Sequence, residues 1–202
     1  MDSNLQTKSR DFQLTPKIKV NHNSTFQWEV FMRKYNCERV CEIGVRNGQN
    51  FKLMLKHGPK EAVAIDPWIE DGILGRNDMR YTQEQMDDQY NIFREEMKDI
   101  PFVKIIRDYS FNAVKNFPDE YFDFIYIDAD HTFEGCYQDI CDWYPKVKKG
   151  GVLCGHDYTR RIAKTKDGEI PFGVVEAVRK YSNENKIERF ILKPIVWAMI
   201  RK

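Results

Sequence analysis

What this chain lacks narrows its class. No apolar run approaches the ~20 residues of a membrane-spanning helix. The first residues, Met1 to Arg10, are polar and lack an apolar signal-peptide core. Neither sign of charge is in surplus: 32 lysines and arginines face 31 aspartates and glutamates, a net charge of +1. General nucleic-acid binding wants a basic stripe, so that class is disfavoured. Clusters such as Lys146-Val-Lys-Lys149 and Arg160-Arg161 read as solvated loop ends. The five cysteines (37, 41, 136, 141 and 154) are odd in number and form no Cys-x-x-Cys pair, so no disulfide framework is expected. Cys41 and Cys154 lie inside apolar runs, where a free thiol behaves as a small core residue, and a reducing compartment is the simplest setting. Internal repeats and low-complexity tracts are absent. The expectation is a cytoplasmic protein, or a domain cut from a longer one.

What is present is core material. The 202 residues are 42% hydrophobic and 13% aromatic, enough for one packed domain. Residues 1–23 are polar without a sustained period and read as an N-terminal arm; residues 24–202 read as a single domain. Ser24-Thr-Phe-Gln27 has the form of a capping box opening a helix that buries Phe26, Val30 and Phe31. Strands and helices then alternate. Strands are expected over 39–43, 62–65, 102–106, 122–127 and 151–155. Between them, helices are expected over 49–57, after a second capping box at Thr82-Gln-Glu-Gln85, after Ser110, and over 132–144. The second box opens a stripe of Met86, Tyr90, Phe93, Met97 and Ile100. Segment 69–81 and residues 158–170 read as polar loops, and Pro171 suits the first position of a further helix. The apolar runs 187–192 and 195–200, joined at Lys193-Pro194, read as an antiparallel pair. This alternation implies an α/β fold with a doubly wound, mostly parallel sheet.

In such sheets ligands bind outside the carboxyl ends of the strands. Those ends carry Glu42, Asp66, Asp108, Asp128 and His156-Asp157. The turn Glu42-x-Gly44-x-x-x-Gly48 lets the backbone bend sharply at Gly44 and Gly48 and approach a ligand. A dinucleotide site prefers glycine where Glu42 stands, because pyrophosphate is anionic. Glu42 suits a ligand with an ammonium and a cationic sulfur. Asp66 could accept bonds from ribose hydroxyls, and Asp108-Tyr109 could flank an adenine. Trp68 and Tyr158 could stack on adenine or a sugar, or serve the core. Adjacent parallel strand ends lie ~5 Å apart, so Asp128 and Asp157 could converge on one hard cation such as Mg²⁺ or Mn²⁺.

Taken with Ile65-Asp-Pro-Trp68, Phe122–His131, Lys149–Tyr158 and Gly173–Val178, the Glu42–Gly48 turn resembles class I S-adenosylmethionine (SAM)-dependent methyltransferases. Within them it is similar to the branch of metal-dependent sugar O-methyltransferases and cephalosporin-hydroxylase-like proteins. That resemblance implies a Rossmann-like, seven-stranded sheet with an antiparallel last strand. It also implies SAM as cofactor, held by Glu42, Gly44, Gly48, Asp66, Trp68, Asp108, Tyr109 and Asp128. The metal would be bound by an acid after strand four (Asp128) and an acidic pair after strand five, with His131 as base. Asp157 matches the second acid of that pair; His156 replaces the first. The acceptor implied is a hydroxyl of a sugar, a glycan or another polyhydroxylated small molecule. Two other classes stay open: a non-haem iron oxygenase using His131, His156 and an Asp, and a non-catalytic SAM- or glycan-binding module. A homo-oligomer, or a place in a larger glycan-modifying enzyme, is equally open.

Overall fold

A computed structural model describes residues 28–70, 81–165, 168–192 and 195–202. The 1–23 arm, the Ser24–Gln27 box, most of segment 69–81 and Lys193-Pro194 lie outside the described residues. In chain order the strands are β1 (Arg39–Ile43), β2 (Glu61–Ile65), β3 (Val103–Ile106), β4 (Phe122–Ile127), β5 (Val147–Gly155), β6 (Ile162–Thr165), β7 (Gly168–Pro171), β8 (Arg189–Leu192) and β9 (Val196–Ile200). The helices are α1 (Glu29–Tyr35), α2 (Gln49–Leu55), α3 (Gln83–Met97), α4 (Ser110–Ala113), α5 (Phe133–Trp143) and α6 (Val174–Glu184).

Seven strands form one sheet in the order β3-β2-β1-β4-β5-β9-β8. β1 to β5 pair in parallel, and β9 runs antiparallel to both β5 and β8. The expected doubly wound architecture with an antiparallel last strand is therefore present. Side chains alternate across the sheet, as the two-residue period of a strand requires. Val40, Ala62, Ala64, Phe124, Tyr126 and Val152 face one core, which holds buried residues of α1, α2 and α3. Cys41, Ile43, Val63, Ile65, Ile125, Ile127 and Leu153 face the other, with α4, α5 and α6. Apolar cover on both faces explains why β1 and β4 read as near-continuous hydrophobic runs. Strand order reverses between β1 and β4, and that switch point places the cleft.

Local chemistry sets several boundaries. α3 begins at the expected capping box: Thr82 Oγ1 accepts from Gln85 N, and Thr82 N donates to Gln85 Oε1 at 2.9 Å. It buries Met86, Phe93 and Met97. α5 starts at Thr132, whose hydroxyl oxygen accepts from Gly135 N at 3.1 Å. At the sheet's far side Gly155 stands opposite Trp197. A Cβ on Gly155 would lie 2.5 Å from the indole, so only glycine lets β9 close there. All five cysteines are free thiols. No helix among the described residues is long and apolar enough to cross a membrane.

Three expectations are corrected. Residues 158–170 are not one polar loop: β6 and β7 form a hairpin, with Ile162 opposite Pro171 and Thr165 opposite Gly168. Gly168, the first residue of β7, takes φ +133°, which glycine holds without strain. Pro171 therefore ends a two-stranded ribbon, and α6 opens at Val174 after Gly173. Ser110 does not cap its helix; its hydroxyl donates to Asp139 on α5, and Phe111 stays half exposed.

Candidate active site

The carboxyl ends of β1 to β5 bring the expected residues to one edge. Glu42, the fourth residue of β1, faces the α1–α3 side and is 2% exposed. Its Oε1 accepts from Asn50 Nδ2 at 2.9 Å, while the buried Oε2 has no hydrogen-bond partner among the described residues. Burial pushes its pKa well above the usual glutamate range; the Asn50 bond opposes this, and Asp128 and Asp66 add to it. A buried carboxylate oxygen without a donor is costly, so this atom is poised for a cationic or N–H-bearing ligand. Asn50, on the first turn of α2, went unnoticed in the sequence, although its place just after Gly48 was a usable signal.

The two glycines of the turn bend the backbone as expected, and each also makes room for the chain's own packing. Gly44 lies at φ +84°, and a Cβ there would meet the Asp128 carbonyl oxygen at 2.1 Å. Gly48 lies at φ +71°, and a Cβ would meet the Phe93 ring at 2.4 Å. Their close approach is to the chain itself. Gly44 N donates to Ile65 O, and Asp128 N donates to Ile43 O, so the β1, β2 and β4 ends are laced together.

Asp66 is 7% exposed and serves the backbone first. Its Oδ1 accepts from Trp68 N at 2.7 Å and its Oδ2 from Arg46 N at 2.8 Å. Burial raises its pKa against these amide bonds. Arg46 and Trp68 both sit in the left-handed region, at φ 53° and 45°, a conformation these contacts hold. Trp68 is fully buried: its indole N–H donates to Arg46 O, and its ring packs on Tyr90 and Phe93. Of the two roles left open for it, ligand stacking or core, its burial favours the core, where it buttresses the turn. Asp108 Oδ1 accepts from Tyr109 N and from Asn112 Nδ2. Tyr109 is exposed and stacks on Phe111, centroids 5.2 Å apart.

The second cluster follows β4 and β5. His131 Nε2 lies 3.2 Å from Asp128 Oδ1 and 3.2 Å from Asp157 Oδ2. One ligand atom from each of Asp128, His131 and Asp157 lies within 4.8 Å of the others, close enough to share one metal ion. His156 was expected among the ligands and His131 outside them. Here His156 Nδ1 stands farther off, 3.5 Å from Asp157 Oδ1 and 3.8 Å from Asp128 Oδ2. The reason is local: Phe172 stacks flat on His131, and Gly173 N donates to His131 O, turning that ring between the carboxylates. Burial lowers the His131 pKa, but the Asp128 bond and both carboxylate charges outweigh it, so the net direction is up. His156 is raised likewise, against burial, by Asp157 and Asp128. Burial raises the Asp157 pKa, but His156, His131 and Arg161 outweigh it, and the net direction is down. Asp157 is at φ 51°, and its Oδ1 has no hydrogen-bond partner. Nothing in the local sequence marks Phe172, and Arg161, whose guanidinium is 3.5 Å from Asp157, was read with Arg160 only as a solvated loop end.

No curated protein matches the sequence significantly. The folds of solved structures do. An O-methyltransferase from Klebsiella pneumoniae, described as putative, is 14% identical, with 93% of this chain and 84% of that one covered and a TM-score of 0.61. The O-methyltransferase NovP is 14% identical over 86% of this chain and 76% of its own, at a TM-score of 0.59. An O-methyltransferase from Bacillus cereus, solved with SAH, is 13% identical over 90% and 84%, at 0.58. These likenesses establish the fold. A family model described as a methyltransferase domain matches residues 41–158, from the middle of β1 to just past the His156-Asp157 pair. The chain belongs to that methyltransferase-domain family and has the class I, SAM-dependent architecture.

Proposed function

We propose that this protein is a SAM-dependent O-methyltransferase, assisted by a divalent metal, that methylates a hydroxyl of a sugar or glycosylated metabolite. The observation that carries it is the pairing of two half-sites along one sheet edge. The buried, donorless Glu42 Oε2 suits the ammonium of the methyl donor. The Asp128–His131–Asp157 group suits an acceptor hydroxyl and a hard cation. Bound at the first, SAM supplies a methyl group on a sulfonium and is left as S-adenosylhomocysteine (SAH). A Mg²⁺ or Mn²⁺ held by Asp128 and Asp157 would lower the acceptor's pKa and fix its position.

The residues then divide the work. An alcohol is a weak nucleophile until its proton is removed. His131 Nε2 takes that proton as the oxygen–carbon bond forms and the carbon–sulfur bond breaks. Phe172 keeps the ring in plane. Alignment of this kind supplies up to ~7–11 kcal/mol of a barrier. Asp108 and Tyr109, just past β3, would flank the adenine in this reading, and Asp66 retains acceptor capacity beyond its two amide bonds. An iron oxygenase would have no use for the Glu42 half-site, which weighs against that alternative. The sugar as acceptor rests on the branch resemblance.

Calorimetry with SAM and SAH on wild type and Glu42→Ala, with and without EDTA, tests the reading. Glu42→Ala should weaken both ligands, and EDTA should abolish turnover but not SAM binding. Unaltered SAM binding in the mutant would remove the donor assignment.

A further inference from the structure

The β6–β7 hairpin stands with its two base residues on the acid–base group. Phe172, just after β7, lays its ring on His131, and Arg161, just before β6, brings its guanidinium to 3.5 Å from Asp157 Oδ1. Phe172 N donates to Arg161 O at 2.7 Å, so the two are locked to each other and to the group. Neighbouring cations have other partners: Arg160 pairs with Glu176, and Arg179 Nε donates to the Tyr158 hydroxyl.

As a structural group Arg161 achieves little. Its side chain is 63% exposed, and Asp157 Oδ1 has no hydrogen bond from it or from any other donor among the described residues. An exposed ion pair of this geometry contributes almost nothing to folding. Asp157 also has two closer or equal nitrogen neighbours, His131 at 3.2 Å and His156 at 3.5 Å. A divalent ion on Asp128 and Asp157 would cancel their charge and leave the guanidinium over. The surplus is an arginine fixed at its backbone, its guanidinium exposed and without a hydrogen bond among the described residues, on the acceptor side.

We infer that the acceptor carries an anionic group, a carboxylate or a phosphate, and that Arg161 is the specificity residue that reads it. The inference rests on the O-methyltransferase reading above and narrows its substrate class. A hydroxyl held against His131 and Asp157 places its neighbouring substituents within the sweep of Arg161. Planar carboxylates and phosphates match the two parallel N–H groups of a guanidinium; a neutral hydroxymethyl group does not.

Matched acceptors test it, with SAH formation and calorimetric binding in the presence of SAH and Mn²⁺ as readouts. The sugar probes are D-glucose, D-glucuronate and D-glucose 6-phosphate; the phenolic probes are catechol and 3,4-dihydroxybenzoate. At least one acid should exceed its neutral partner about tenfold or more in kcat/KM, and the better sugar acid separates carboxylate from phosphate. Arg161→Ala should bring that ratio near one, and Arg161→Lys should restore part of it, with Tm and SAH affinity confirming that both variants fold. A wild-type ratio near one, or a ratio that survives Arg161→Ala, overturns the inference while leaving the methyltransferase reading intact. An acid preference confined to the phenolic pair, and lost in Arg161→Ala, upholds Arg161 and removes the sugar. If no probe binds or reacts although SAH binds, both fall.

Discussion

The imidazole of His131 lies flat against the phenyl ring of Phe172, with centroids 4.7 Å apart and planes 11° from parallel. That contact holds His131 Nε2 at equal distance from two carboxylates, one after β4 and one after β5. Removing the ring frees the imidazole to rotate. Phe172→Ala should lower kcat about 10- to 100-fold, in line with the cost of a small misplacement. SAM affinity, which depends on the other half-site, should stay within twofold. Steady-state kinetics and calorimetry separate the two effects.

Glu42→Gln keeps the shape of the side chain and removes its charge. Burial already holds this carboxyl above its ordinary pKa, so ionisation at neutral pH costs folding free energy. The variant should melt higher than wild type when ligand-free, yet bind SAM about 10- to 100-fold more weakly, the worth of a hydrogen bond to a charged group. Opposite movements in Tm and affinity distinguish a ligand-directed carboxylate from a structural one. Parallel losses would identify it as structural.

Asp139 is a buried acid outside the reaction. Burial, with Asp130 and Asp142 adding and the Ser110 bond opposing, lifts its pKa to about 7. The folded protein therefore holds a proton that the unfolded chain has released. Stability from this group falls as pH rises from about 4, and the penalty is complete above about 7. Asn can still accept from Ser110 and carries no charge. The stability advantage of Asp139→Asn should grow by about 2 kcal/mol between about pH 5.5 and 8. Urea melts at the two pH values measure it.

His131 and His156 have folded pKa values above the ordinary histidine value. Their contribution to stability is fully present below about pH 6.5 and is lost as pH rises through the raised values. A divalent cation competes with those protons, so Mn²⁺ affinity should climb between about pH 6 and 8 as the ligand-free protein loses stability. His131→Ala separates its two conceivable roles. A base leaves Mn²⁺ binding largely in place while turnover collapses; a ligand takes the binding with it. Titration calorimetry at both pH values reads both results.

Legibility in the sequence followed the range of the determining interaction. β1 and β4 were readable to the residue because their apolar runs are buried on both faces. The Thr82 box was readable because both its hydrogen bonds close within four residues. Ser110 misled because its partner, Asp139, is 29 residues away on another helix. Trp68 looked like a stacking surface from its place after a strand; the stripe of Tyr90 and Phe93 that buries it was visible, but not its direction. The β6–β7 ribbon was hidden by its polar composition, and with it went Arg161 and Phe172. Asp128, His131, His156 and Asp157 did gather as their strand ends implied, but which histidine stands between the acids is set by Phe172.

The fit of Trp197 over Gly155 bears on how the molecule is made. Trp197 belongs to the last strand, yet it lines a small cavity together with Asp128, His131 and His156. Chains emerge from the ribosome amino-terminus first. The donor turn at Glu42 and its supports from β2, β4 and α3 are therefore available long before β9 is. Until residue 197 has docked, β5 is an open edge and the floor beneath the acids is missing. A chain without β9 would have the proposed donor half but an unfinished acceptor half, so turnover is expected only once β9 has docked.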